Sequence, residues 1–130
     1  MPQFALLTLA AVAILMVKHA VADFYLQTPY QYLNKGKYGH PGGFLHAGIH
    51  AALTPFVYFV LLPGSLLMAA ALAAGEFVLH YHIDWLKERI TQANGWTPQD
   101  RGFWCALGTD QLLHGLTYVG IVAVLVTVAA

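Results

Sequence analysis

The chain has 130 residues, of which 58% are hydrophobic and 9% charged, and its formal net charge is zero. A soluble globular domain carries roughly 25% charged residues, so this composition excludes a soluble monomer and a disordered segment, and the absent net charge excludes a nucleic-acid partner. A single cysteine, Cys105, excludes an internal disulfide framework and a cysteine-based zinc knuckle.

The composition predicts an all-α, polytopic membrane protein that forms one domain over residues 1–130, with four transmembrane helices. The first runs over residues 3–28 and opens with an uncharged stretch from Phe4 to Val17. It has no positive n-region, and Lys18 lies at the wrong end of the apolar run, so it reads as a retained helix rather than a signal peptide. The second covers 43–62 and the third 65–90, joined by a tight Pro63-Gly64 hairpin. The fourth covers 98–129, with Thr97 as N-cap, Pro98 at the first helical position and Asp100 in the first turn. Each is long enough for a hydrocarbon core that takes about 20 helical residues.

Charge orients the bundle. Lys35, Lys37, Lys87, Arg89 and Arg101 flank the first and third loops, whereas the hairpin and both ends have no lysine or arginine. The positive-inside rule puts those loops in the cytoplasm and the termini in the periplasm of a bacterial inner membrane. Lys18 and Lys87 are expected to snorkel to the interface. His40 and His82 are expected at the solvent or interface.

The polar residues within the spans form stripes. Helix one has His19, Asp23 and Gln27; helix two has His46 and His50; helix three has Glu76, His80, Asp84 and Lys87; helix four has Asp110 and His114 beside Gln111. Four-residue spacing puts each pair on one helix face. By helical rise, His19, His50, His80 and His114 share a depth of about 18–24 Å, and Asp23, His46, Asp84 and Asp110 one of about 24–30 Å. His19-Ala-Val-Ala-Asp23-Phe24-Tyr25-Leu26 reads like His80-Tyr-His-Ile-Asp84-Trp85-Leu86, and His46-Ala-Gly-Ile-His50 reads like Asp110-Gln-Leu-Leu-His114. The chain therefore reads as a duplicated helical hairpin with its pseudo-axis along the membrane normal. If the halves build one site, Asp23 and Asp84 lie within about 10 Å of each other, the spacing of packed helices.

Ionisable groups in a span are costly unless paired, and they mark function. Imidazole with carboxylate suits zinc, iron, manganese or nickel, so His19, Asp23, His46, His50, His80, Asp84, Asp110 and His114 are candidate ligands for a divalent metal ion. A metal-dependent hydrolase would use metal-bound water, a carboxylate base, and Lys87 or Gln111 to polarise the substrate, with Glu76 either a proton relay or paired with a polar group on a neighbouring helix. Two other readings stand beside it. One is an ion or proton transporter, which would need a homodimer. The other is an accessory subunit of a larger membrane complex, its polar layers acting as packing glue. The lipid bilayer is the common partner in all three.

These elements resemble one family, the uncharacterised bacterial membrane family labelled domain of unknown function 3307. The resemblance rests on HxxxD-aromatic-x-Leu with Gln27, HxxxH, HxxxD-Trp-Leu-Lys and the Asp110-Gln111-Leu-Leu-His114 element, its most specific part. It spans about Val17 to Thr117. His19, Asp23, Gln27, His46, His50, His80, Asp84, Lys87, Asp110, Gln111 and His114 match the family's polar pattern, and the Gly36–Gly43 loop is a departure. The resemblance implies a small polytopic inner-membrane protein, and no particular activity.

The topology has a direct test. Reporter fusions at Lys37 and Asn94 are expected to read cytoplasmic and one at the C-terminus periplasmic; a cytoplasmic C-terminus would overturn the side assignment.

Overall fold

The computed structural model describes residues 2–129, and all their regular structure is helical. Helix α1 spans Pro2–Ala20 and continues through a single π turn, Val21–Tyr25. A short helix α2, Pro29–Tyr32, lies in the first loop. Helix α3 spans Pro41–Leu53 and tightens into a 3₁₀ segment, Thr54–Phe59. Helix α4 spans Leu66–Ala93 and α5 spans Arg101–Ala129. Among the described residues, three helices are long and apolar enough to cross a membrane: Gln3–Tyr25, Leu66–Ala93 and Arg101–Val128.

The second apolar segment departs from the expected uniform helix over 43–62. Pro55 has no N–H to donate, and its ring crowds the preceding turn, so the α-helix stops at Leu53. The Thr54 N–H turns to the Ala51 carbonyl. The His50 carbonyl, which that N–H would meet in an α-helix, is thereby released. It accepts from the Lys18 ammonium at 3.0 Å and from the Thr54 hydroxyl at 3.2 Å.

Two other boundaries differ from expectation. Helix α5 starts at Arg101 rather than Pro98. The Thr97 N–H and hydroxyl both donate to the Asp100 carboxylate, at 2.8 and 2.9 Å, and form a separate turn before the helix. The bond from the Thr97 backbone also holds the Asp100 carboxyl below its ordinary pKa. Helix α4 runs three residues beyond Ile90 and ends in a Schellman motif. Gly95, at φ 63°, takes the left-handed position, with Gly95 N–H donating to Gln92 O and Trp96 N–H to Thr91 O.

Helix α3 packs on α4, α4 on α5 and α5 on α1, and α1 closes the ring against α3 and the 3₁₀ segment. One end of the interior is apolar: Ala11, Leu15, Val57, Leu61, Tyr118, Ile121, Val122 and Leu125 form a single buried cluster. The other end is polar and lies under the first loop.

That loop is seated by residues without side chains. Thr28 and Gln31 form a capping box that starts α2. A Cβ on Gly42 would lie 2.7 Å from the Tyr30 carbonyl, and one on Gly43 would lie 3.0 Å from the Tyr81 ring. Tyr38 packs edge-on against Tyr81 and Trp85, and the Gly39 N–H donates to the Tyr81 hydroxyl at 2.6 Å.

Backbone cannot yield as a flexible side chain does, so Gly42→Ala is expected to destabilise the protein by about 1–3 kcal/mol, the usual range for overpacking. Thermal unfolding in detergent measures this; an unchanged midpoint would show that the loop is not clamped at Gly42.

Candidate metal centre

The π turn in α1 holds Asp23, which is 8% exposed. Such turns insert one residue into a helix and re-aim the side chains around it. Asp23 keeps its own-helix partner, with His19 Nε2 3.1 Å from Oδ2. From α3, His50 Nε2 donates to Asp23 Oδ1 at 3.1 Å, and His46 Nε2 lies 3.2 Å from the same oxygen. Asp84, on α4, has matching surroundings. His80 Nε2 of its own helix lies 3.5 Å from Oδ2, and His114 Nε2 of α5 donates to Oδ1 at 3.2 Å.

His46 joins the two halves. Its Nε2 is 3.2 Å from Asp23 Oδ1 and 3.1 Å from Asp84 Oδ2, so the two carboxylates lie well inside the expected helix-packing distance. Four imidazoles pack ring against ring at the apolar side of these carboxylates. Ring centroids are 5.2 Å apart for His19–His50, 3.7 Å for His50–His80, 4.2 Å for His80–His114 and 4.9 Å for His19–His114. All eight His and Asp residues are buried.

Gln111 ties α5 to this arrangement. Its carbonyl accepts from His19 Nε2 at 3.0 Å, and its amide donates to Asp23 Oδ2 and Asp110 Oδ2 at 3.2 and 3.1 Å. With its Nε2 proton directed to oxygens, His19 must accept at Nδ1, and the Tyr118 hydroxyl donates there at 2.8 Å. Gln27 supports the π turn by donating to the Asp23 backbone carbonyl at 2.8 Å.

Eight groups therefore converge, but their polar atoms are not all satisfied. Both ring nitrogens of His46, both of His80, Nδ1 of His50 and Oδ1 of Asp110 are buried without a hydrogen-bond partner. Three sets of ligand atoms lie within 4.8 Å of one another: Asp23, His46, His50 and His80; His19, His80 and His114; and Asp84, Asp110 and His114.

Two lysines complete the region, and the sequence pattern missed both. Lys18 does not snorkel. It is 6% exposed and pairs with Glu76, whose other oxygen accepts from the Thr54 hydroxyl. The Lys18 ammonium also lies 4.7 Å from the centroid of the Tyr118 ring. Glu76 is thus engaged in an ion pair, the pairing with a neighbour that the sequence offered beside a proton relay. The available signal was two opposite charges on the same side of the His layer. Lys35 enters from the loop and lies 3.2 Å from Asp84 Oδ2. Burial works against its charge, but Asp84 and Asp23 outweigh burial and raise its pKa above the ordinary lysine value. Lys87 donates to Glu88 at 2.7 Å and makes no hydrogen bond to the cluster among the described residues. His82 is exposed, between Tyr38 and the Val78 carbonyl.

The chain belongs to the family described as protein of unknown function (DUF3307), whose profile matches residues 11–130. The match is wider than the Val17–Thr117 stretch that carries the resemblance. No curated protein and no solved structure matches the chain.

Breaking a buried ion pair leaves one charge uncompensated at a cost of about 3–5 kcal/mol. Lys18→Met and Glu76→Met are each expected to destabilise the protein by that amount, and the double variant by much less than the sum. A double-mutant cycle on thermal stability checks this; additive effects would mean that the pair is not coupled.

Proposed function

We propose that this member of the family is a multi-pass protein of a bacterial inner membrane that holds a divalent metal ion in its His/Asp cluster. The termini are periplasmic and the cluster faces the cytoplasmic leaflet. Residues 41–59 make the fourth crossing: thirteen α residues and six 3₁₀ residues, at about 1.5 and 2.0 Å each, reach about 31 Å. The duplicated hairpin is supported by matched atoms, since His50 meets Asp23 Oδ1 as His114 meets Asp84 Oδ1.

The observation that carries the metal reading is the set of buried Nδ1 atoms of His46, His50 and His80, which have no hydrogen-bond partner. Buried polar groups are almost always hydrogen-bonded. If the layers were only packing glue, the nitrogens at their centre would be bonded too. A metal ion gives neutral imidazole nitrogens the partner they lack.

Charge gives the same answer. Asp23, Asp84, Asp110 and Glu76 are buried acids, and Lys18 and Lys35 are the buried bases. With neutral imidazoles the region carries two unbalanced negative charges, those that one divalent ion neutralises. The set of Asp23, His46, His50 and His80 offers it four donors. At the other carboxylate, Lys35 already supplies a cation.

Hydrolysis is the chemistry this donor set suits, because a bound divalent ion lowers the pKa of its water. Asp110 would act as the base, and Gln111, which donates to its Oδ2, as the group that orients the substrate. Transport is disfavoured by the apolar cluster at the opposite end of the interior, where Leu15 and Leu125 are fully buried.

Elemental analysis of the detergent-purified chain is expected to find about one equivalent of a first-row divalent metal. Asp23→Asn and His50→Ala should each lower occupancy by about tenfold or more, and His82→Ala should leave it unchanged. A stable chain with no metal would leave the accessory-subunit reading, with the layers as packing glue.

A further inference from the structure

A groove between α4 and α5 lies outside the His/Asp cluster and meets it at one residue. It encloses about 420 Å³. Its walls are apolar at one end, where Leu79, Ile83 and Leu113 line it, and amphipathic at the other, where Trp96 and Lys87 do. The concavity exists because α5 presents Gly102, Cys105 and Ala106 to it, and the Trp96 ring lies where a Cβ on Gly102 would be. Along α4, Leu79 to Ile90 is eleven residues of rise, about 16 Å.

Asp110 lies between these ends. It is 5% exposed, and its Oδ1 has no hydrogen-bond partner. It is also one of the candidate ligands, grouped with Asp84 and His114. Asp110 therefore stands at the junction of an apolar slot and a polar mouth, with its Oδ1 3.6 Å from His114 Nε2 on the cluster side. A polar solute would find no partners along Leu79, Ile83 and Leu113. A peptide would bring backbone groups that this wall cannot bond. An acyl chain fits such a wall without leaving a polar atom unbonded, and it can enter sideways from the bilayer between two spanning helices. Lys87 is the one cation among the lining residues, and it sits at the loop end with Trp96, where an interfacial headgroup would lie. Glu88 shares its charge, which makes the attraction to an anion modest.

We propose that this groove binds one membrane phospholipid with an anionic headgroup, its acyl chain along Leu79, Ile83 and Leu113, its headgroup at Lys87 and its ester region beside Asp110. The proposal rests on the metal-centre reading for its consequence, which is that a phospholipid is the substrate class of that centre. Binding itself does not depend on the metal.

Native mass spectrometry and elemental analysis on one detergent-purified preparation test both points separately. The chain is incubated with equimolar dioleoyl phosphatidylglycerol and dioleoyl phosphatidylcholine. One phospholipid per chain is expected to be retained, the anionic one preferred by less than the about fivefold of one unpaired lysine at an anionic surface. Lys87→Gln should remove the preference and keep the retention. Ala106→Trp should fill the groove and abolish retention of both lipids, with metal content unchanged. Retention by Ala106→Trp equal to the unaltered chain, or no retained lipid at all, overturns the proposal. If Ala106→Trp does not fold, alkylation of Cys105 in the unaltered chain replaces it, since Cys105 is exposed and is the single cysteine. Phosphatidylglycerol should slow its reaction with N-ethylmaleimide, and an unchanged rate overturns the proposal. A chain that retains lipid without metal overturns the metal centre and keeps the groove; one that holds metal without lipid does the reverse.

Discussion

A carboxylate buried between apolar helices must be surrounded by donors or give up its charge. Asp23 and Asp84 meet that constraint by gathering imidazoles from their own helices and from helices packed against them. Asp23 takes His19 from its own helix and His46 and His50 from α3. Asp84 takes His80 from its own helix, His114 from α5 and the far side of His46. The order of the helices follows from this. A carboxylate on α1 that needs α3, and one on α4 that needs both α3 and α5, leave few ways to arrange four segments in a ring.

The constraint also reaches the irregular parts of the chain. The π turn brings Asp23 into the interior while the own-helix bond to His19 is kept. Pro55 breaks α3 one turn beyond His50, and the carbonyl so released anchors Lys18. The glycines at 42 and 43 let the first loop descend far enough for Lys35 to reach Asp84. In each place regular helix is given up where a buried polar group needs a partner, which is the usual location of π turns and 3₁₀ stretches.

This division explains what was legible before the fold was known. The His and Asp stripes could be read because four-residue spacing is a property of the helix itself, and depth follows from counting residues along apolar runs. The pairings of Lys18 and Lys35 could not be read that way. Their partners lie 58 and 49 residues further on, and each lysine has a bland default at its position. Lys18 near a helix end reads as a snorkelling side chain, and Lys35 reads as one of the charges that orient the loops. Tyr118, on the apolar side of the His layer, carries no sequence signal beyond aromatic character, yet its hydroxyl bonds His19 Nδ1. Pro55 was visible in the sequence, and it marked the end of the α-helix that a continuous apolar run concealed.

The two halves of the chain supply almost the same donors, and under the proposed metal reading the difference between them decides which half holds the ion. In the first half His46 occupies the position that Asp110 takes in the second, so one set has an extra imidazole and the other an extra carboxylate. The carboxylate-rich set is the one that Lys35 reaches, at Asp84. The imidazole-rich set around Asp23 has no ammonium on its carboxylate among the described residues, because Lys18 is turned to Glu76. On the proposed reading, a lysine from a loop neutralises one half of a duplicated site and leaves the other to the metal. Asp110 then stands at the edge of the groove, accepting from Gln111 through Oδ2 and with Oδ1 3.6 Å from His114 Nε2. A symmetric pair of sites would hold both carboxylates as ligands and have none to spare. On that reading, Asp110 where the other stripe has a histidine, together with one long loop, makes one half the binding half and the other the half that faces the groove.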